Sequence, residues 1–420
     1  MIFLKRIWVL LFILSLMSCS SSKNFSNLNM SSLYRPSDNV FHPEINIWNQ
    51  VDSTILISVK LNLGEFLFAR QSDESFSANV GISCQVLQSY DDSKILDSLT
   101  SFYSFKMQDK NISNNVTIKL PLQHYYDLLL KVIIFDKNKN YSEEFFEPFS
   151  FLMEATRNDF RMLNKSSEIV FHNYVTDSTS FQVQFKDSLV KEGWCKYYSR
   201  NFQLPPPPFS FDVRSDFDYH PDSVFMVHLN DSSGFPFSKN GFYFFQTDTT
   251  KKTGFAVFKF ENGYPSISTP KQLLEPLRYL TSKKEYEELE SSQNIKKAVD
   301  SFWLARGGNE ERTRTLIKKF YGRVQDANRY FSSYLEGWRT DRGMLYIIFG
   351  APNALYLSSN SESWTYGTPN STLALNFFFV QVKNPFTNND YSLSRSPIYE
   401  SNWYRAVETW RQGRIYNTFN

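Results

Sequence analysis

The sequence predicts a multi-domain, β-rich α+β protein: two tandem immunoglobulin-like β-sandwich modules followed by a module of helices plus a β-sheet. Three observations lead there. Apolar residues alternate with period two in short segments between 40 and 262, the mark of half-buried strands. Aromatics make up 17% of the chain, with 40 Phe and 24 Tyr, and large rings fill the space between sheets. After Thr269 the alternation gives way to helical spacing with helix start signals. A chain of 420 residues with 41% hydrophobic content has enough apolar material for several cores.

Lys5 and Arg6 precede an apolar run from Ile7 to Met17 that is too short to span a bilayer and has the shape of a signal-peptide core. Leu16-Met17-Ser18-Cys19 then sets a small residue before a cysteine, as in bacterial lipoprotein processing. Residues 1–18 therefore read as a lipoprotein signal peptide and Cys19 as the lipidated first residue of the mature chain. Several acyl chains on one residue hold a protein on a membrane far more firmly than one chain does. An ordinary secretory signal with Cys19 as a bystander is the competing reading. The Ser- and Asn-rich segment 19–39 reads as a flexible tether. It has no acidic cluster behind Cys19, which favours an outer-membrane location facing the periplasm.

Removing residues 1–18 takes Lys5 and Arg6 with it and leaves 43 basic against 43 acidic residues. A neutral chain without a polybasic block offers no electrostatic case for nucleic acid. The expected partners are the membrane, through Cys19, and an envelope protein, with a glycan as a further option. Cys84 and Cys195 fall in different modules without metal-ligand spacing, so both read as buried thiols. The five histidines are scattered, so no metal site and no cofactor is expected.

Each module has its own pattern. In the first, residues 40–155, Ile55, Ile57, Val59 and Leu61 alternate, as do Val80, Ile82, Cys84 and Val86, and the run Leu128 to Phe135 reads as a central strand entering a turn at 136–140. In the second, 165–262, Phe181, Val183 and Phe185 alternate, followed by Val224 to Leu229, Phe242 to Phe245 and Phe255 to Phe260. Pro205 to Pro208 interrupts it and reads as a stiff loop in preference to a docking peptide. The third module spans 265–420, with helices over 269–336, sheet and turns over 343–400, and a short C-terminal helix. Thr269-Pro270-Lys271-Gln272 and Ser282-Lys283-Lys284-Glu285 are capping boxes, and Asn309 can cap a helix whose apolar residues run Leu316, Phe320, Val324, Ala327, Phe331 and Leu335. Trp403, Val407 and Trp410 give the last helix an apolar face, more suited to the core than to a partner.

Gly337-Trp338-Arg339-Thr340-Asp341 follows that long helix, with Arg342-Gly343 and the apolar run Met344 to Phe349 behind it. Here the chain resembles the GWxTD-domain family of bacterial lipoproteins. The resemblance runs from about 270 to 400 through Phe302-Trp303 with Arg306, Asn309-Glu310, Arg323 with Ala327, Tyr346-Ile347-Ile348 and Trp364-Thr365-Tyr366. Gly307-Gly308 stands where an Asp-Pro pair is common, and Asn353 where Asp often follows the turn proline. The family carries no established reaction, so the resemblance implies a fold on an exported lipoprotein and no chemistry.

The motif itself reads as a helix-to-strand corner, with Met344 to Phe349 as the strand. Gly337 would end the helix in the left-handed conformation, Trp338 wedge the corner into the core, and Thr340 and Asp341 bond turn N–H groups. Arg342 would pair with Asp341 or Glu336. The rival reading makes Asp341 a general acid or base in a pocket walled by Trp338 and Trp364. No catalytic residue is assigned, and Gly337, Trp338, Thr340, Asp341, Arg342 and Gly343 stand as structural motif residues. The function expected is a non-catalytic binding or assembly scaffold. An envelope hydrolase or carbohydrate-active enzyme using Asp341, or a glycan-binding protein, is the alternative.

Overall fold

The computed structural model describes residues 25–35, 38–123, 126–177, 179–199, 201–211 and 217–417, so Cys19 and the leader lie outside the described residues. The architecture is multi-domain, β-rich α+β. In the first module β1 (Glu44–Asn49), β2 (Thr54–Asn62) and β6 (Ser113–Pro121) form one antiparallel sheet, with Ile57 opposite both Ile47 and Ile118. The facing sheet runs β5 (Asp97–Lys106), β4 (Phe76–Leu87), β7 (Tyr126–Asp136) and β8 (Tyr141–Phe151), with the short β3 (Ala69–Arg70) also on β4. That order, first-second-sixth against fifth-fourth-seventh-eighth, is the immunoglobulin-type arrangement. The alternating residues of β2, β4 and β7 meet in one core, where Cys84 is a free thiol pushed up to about 12 by burial.

The second module opposes β9 (Phe160–Leu163), β10 (Ile169–Val170), β12 (Ser180–Phe185) and β15 (Phe235–Pro236) to a sheet of five strands. Its order is β11 (Tyr174–Val175), β17 (Phe255–Lys259), β16 (Gly241–Gln246), β13 (Glu192–Tyr198) and β14 (Ser223–His228). Cys195 is free and buried in this sandwich. The aromatic run of β16 departs from strict alternation for a physical reason: both its faces are covered. Tyr243 and Phe245 enter the sandwich core, while Phe242 and Phe244 turn outward against Tyr334, Leu335 and Phe386 of the third module. Between the sandwiches, buried Asp159 binds Asn49 Nδ2 at 3.0 Å and Lys186 Nζ at 2.8 Å.

The third module comprises α1 (Pro270–Leu274), α2 (Lys283–Glu290), α3 (Ile295–Gly307), α4 (Glu310–Phe331) and α5 (Asp341–Phe349). The sheet β18 (Ala354–Leu357), β19 (Ser361–Tyr366), β20 (Leu375–Gln381) and β21 (Tyr391–Leu393) and the helix α6 (Glu400–Arg411) follow. The capping boxes at Thr269 and Ser282 form as read, Asn309 accepts from Arg312 N–H, and Gly308 adopts the left-handed cap after α3. Trp403 and Trp410 are both core residues.

Two expectations fail here. Residues 341–349 are a helix and not a strand, because Met344 to Phe349 are buried all round, and a short apolar run hides its period. The sheet accordingly starts at 354. Residues 26–35 are not a free tether either. Ser26 N–H donates to Leu357 O at 2.7 Å and Met30 N–H to Leu355 O at 2.8 Å, tying the segment along the free edge of β18. Met30 and Tyr34 then enter the core of the third module. The polar composition masked Met30, Leu33 and Tyr34, whose spacing puts them on one side of a tight turn.

Candidate functional site

The corner forms because two backbones approach more closely than any side chain allows. Gly337 lies in a short 3-10 turn, Gly337–Arg339, and a Cβ there would sit 1.9 Å from Ala327 O in α4. Its φ is not left-handed, so contact with α4 and not conformational freedom requires glycine. Asn328, next along α4, accepts from Trp338 N–H at 3.1 Å and donates through Nδ2 to Pro265 O at 3.1 Å. Trp338 is buried beside Tyr279, whose hydroxyl donates to Trp338 O at 3.0 Å. Thr340 caps α5: Oγ1 accepts from Gly343 N–H at 3.0 Å and donates to Gly337 O at 2.8 Å.

The charges do not pair as expected. Asp341 is gripped by Arg395, with Oδ2 3.2 Å from Nη1 and Oδ1 bonded to Nη2, and Oδ2 also accepts from Leu393 N–H at 2.9 Å. Arg342 points into the core and pairs with Glu362 at 2.5 Å, both side chains at most 4% exposed. Glu362 also accepts from Tyr34 Oη at 3.1 Å and Trp364 Nε1 at 2.9 Å, while Arg342 Nη2 donates to Asn389 O at 2.9 Å. Burial, the largest single influence, opposes the charge on Arg342, but Glu362 together with Tyr34 and Tyr391 outweighs it and holds the guanidinium above its ordinary value. Burial first, and Glu362 second, push the Tyr34 hydroxyl well up.

The motif also holds the proline loop. Arg339 Nη2 donates to Phe202 O, Arg395 Nη2 to Pro206 O at 3.2 Å, and Ser396 N–H to Pro208 O at 3.1 Å. Pro205 to Pro208 is thus a loop between β13 and β14 clamped onto the third module. The pocket expected between Trp338 and Trp364 is absent among the described residues: Trp364 packs instead on Tyr34, Phe331 and Phe379.

A cleft of about 260 Å³ lies elsewhere, where Phe386 meets the two sandwiches. It contains Glu147, Arg157 and His172 but none of the motif residues. Crowding pushes the Glu147 carboxyl up to about 7 even though the residue stays exposed to the cleft, and it lowers Arg157 to about 10. Among the described residues no group of three His, Cys, Asp or Glu could hold a metal ion.

Sequence reasoning singled out the motif but missed Glu362, Arg395, Asn389, Asn328 and Tyr34. Glu362 left a signal, since it shares the inward phase of its strand with Trp364, and a carboxylate on an apolar face needs a buried partner. Arg395 left none.

Comparison with known proteins yields few findings. A search of curated proteins finds no match. Among solved structures, a red sea bream transglutaminase aligns at TM-score 0.19 and 9% identity, over 55% of this chain and 33% of the other. The match spans about a third of that enzyme's length, and a likeness on this scale carries no argument. The GWxTD domain family matches residues 241–412. The match starts on β16, upstream of the module boundary expected at 265, where the outward rings of β16 and β17 share a core cluster with Tyr334 and Phe386. With its motif at the junction of these elements, the chain is a GWxTD domain-containing protein.

Proposed function

We propose that the protein is a lipid-anchored cell-envelope lipoprotein, held through Cys19 on the outer membrane and facing the periplasm, whose modules form a non-catalytic binding or assembly scaffold. The observation behind the scaffold reading is the state of Asp341. Its side chain is 8% exposed, one oxygen faces Arg395, and the other takes both Arg395 and the Leu393 N–H. A general acid or base must reach a substrate proton, and this carboxylate is committed to structure. Arg339 and Arg395 likewise spend hydrogen bonds on the loop of the neighbouring module. A corner built this way fixes how two modules are presented to a partner. The anchor reading is supported by the leader and by Ser18-Cys19.

Asp341→Asn tests the scaffold. It removes half of a buried pair, for which a loss of about 3 kcal/mol is expected. Envelope function should fall only in proportion to folded protein, read by melting and by complementation in the same cells. A correctly lipidated, fully stable but inactive Asp341→Asn protein would overturn the scaffold and make the corner an active site. The anchor has its own test. Cys19→Ser should move the folded protein from the membrane fraction to the soluble one, and a variant that stays membrane-bound in high salt would refute lipidation as the anchor. Among the described residues no helix is long and apolar enough to cross a membrane.

A further inference from the structure

The anchor and the fold meet at one surface. Cys19 precedes Phe25 by six residues, a reach of about 20 Å even when fully extended. Phe25 is already on the folded body: its ring lies 6.2 Å from that of Phe378 in the middle of β20. Ser26 and Met30 continue along the edge of the same sheet. A lipid on Cys19 therefore keeps this sheet within a short leash of the bilayer, together with the β4–β5 loop of the first sandwich, whose Asp91 accepts from Asn27 N–H at 3.0 Å.

The sheet is built for such contact. Phe377 and Phe379 point inward and are fully buried, so Asn376, Phe378 and Val380 face out, and across β19 their register partners are Thr365, Ser363 and Ser361. None of the six is charged; Ser361, Ser363 and Thr365 are themselves buried, so the exposed strip of this face is Asn376, Phe378 and Val380 of β20. The charge on these two strands, Glu362, faces the core and is neutralised by Arg342. Phe378 is 40% exposed, Val380 37%, and Leu373, on the turn leading into β20, 93%. The solvent face of an antiparallel sheet ordinarily carries polar and charged residues. An uncharged face with exposed Phe, Val and Leu can enter the headgroup boundary without desolvating an ion.

We propose that the outer face of β20, with Phe25 and Leu373, is a membrane-contact surface that seats the body directly on the lipid bilayer bearing the anchor. This rests on the lipid-anchor reading. Phe25, the first described residue and six positions after Cys19, is already on the folded body. The attraction is apolar burial, so it should depend little on the charge of the lipids.

The test uses the natively lipidated full chain in phosphatidylethanolamine/phosphatidylglycerol vesicles. A polarity-sensitive fluorophore is attached at Leu373→Cys or Val380→Cys, both exposed positions, with Leu189→Cys on a second-sandwich loop as reference. Cys84 and Cys195 are buried and free, so labelling goes to the introduced thiol. A blue shift is expected at 373 and 380, with quenching by spin-labelled lipid at least about threefold stronger than at 189. Protein that floats with the vesicles but shows equal quenching at all three sites would overturn the proposal and leave the anchor intact. A second arm separates the two ideas. Protein in which six histidines replace residues 19–24, Cys19 included, held on nickel-chelating lipid, keeps the same reach without acylation. In that arm the same shift supports the contact and its absence refutes it, whatever the fate of Cys19.

Discussion

Arg342→Met is expected to destabilise the third module by about 3–5 kcal/mol, because it strips the partner from a carboxylate that is 4% exposed. Methionine fills similar volume, so lost packing contributes little. The cost comes from Glu362, left to neighbours that are neutral donors, Tyr34 and Trp364. Adding Glu362→Gln removes the stranded charge while keeping a carbonyl for one of those donors. The double variant should recover to within about 2 kcal/mol of the parent. Urea unfolding of the Cys19→Ser form, followed by tryptophan emission, gives the double-mutant cycle. A coupling near zero would mean that Arg342 and Glu362 do not act as a pair. Tyr34 carries the effect outward: it touches both members of the pair, and its carbonyl accepts from Tyr346 Oη at 2.9 Å. Exchange of the amides of residues 26–34 should therefore quicken in the single variant and slow again in the double.

What could be read from the sequence follows from what each signal measures. Period two reports burial on one face, so β2 and β4 were legible, and β7 was legible as an apolar run closed by a turn. Helix caps are local, so Thr269, Ser282 and Asn309 were legible too. Elements buried on all sides give no period. That is why α5 reads as a strand, although Thr340 as cap, Asp341 in the first turn and the cap bond to Gly343 are the marks of a helix start. Residues 26–35 failed for the opposite reason, since a few apolar residues in polar company look like a linker until a sheet edge is present to receive them.

The candidate site divides in the same way. The motif positions are contiguous and stand out by composition, whereas their partners are set by tertiary approach. Asp341 finds Arg395 across 54 residues, Arg342 finds Glu362 across 20, and Arg339 finds Phe202 in another module. Pairing Arg342 with its sequence neighbours Asp341 or Glu336 ignored that successive residues of a helix point in different directions. Asp341 and Arg342 open α5, so one faces β21 and the proline loop while the other faces the core.

The glycines of the motif provide the sharpest measure of how tightly the corner is made. Gly343 sits in the first turn of α5, where alanine would ordinarily favour the helix by about 1 kcal/mol. A Cβ there, however, would lie 1.9 Å from Gly337 O, 2.8 Å from Gly337 C and 3.0 Å from Trp338 Cα. These are backbone atoms of the preceding turn, so no rotamer change relieves the clash; the turn must separate from the helix, breaking the Thr340 cap and unseating Trp338. Gly343→Ala is expected to cost about 3 kcal/mol or more, the upper end for overpacking a core. Gly322 in α4 is the matched control, because nothing lies within 4 Å of a Cβ built there. Gly322→Ala should gain about 0.5–1 kcal/mol from helix propensity alone. Urea unfolding of both variants compares one substitution in two helices of one module, so propensity and unfolded-state effects are closely matched and the difference isolates the close approach. If Gly343→Ala proves as stable as Gly322→Ala, the contact between α5 and the motif turn is looser than described, and packing no longer accounts for glycine at that position.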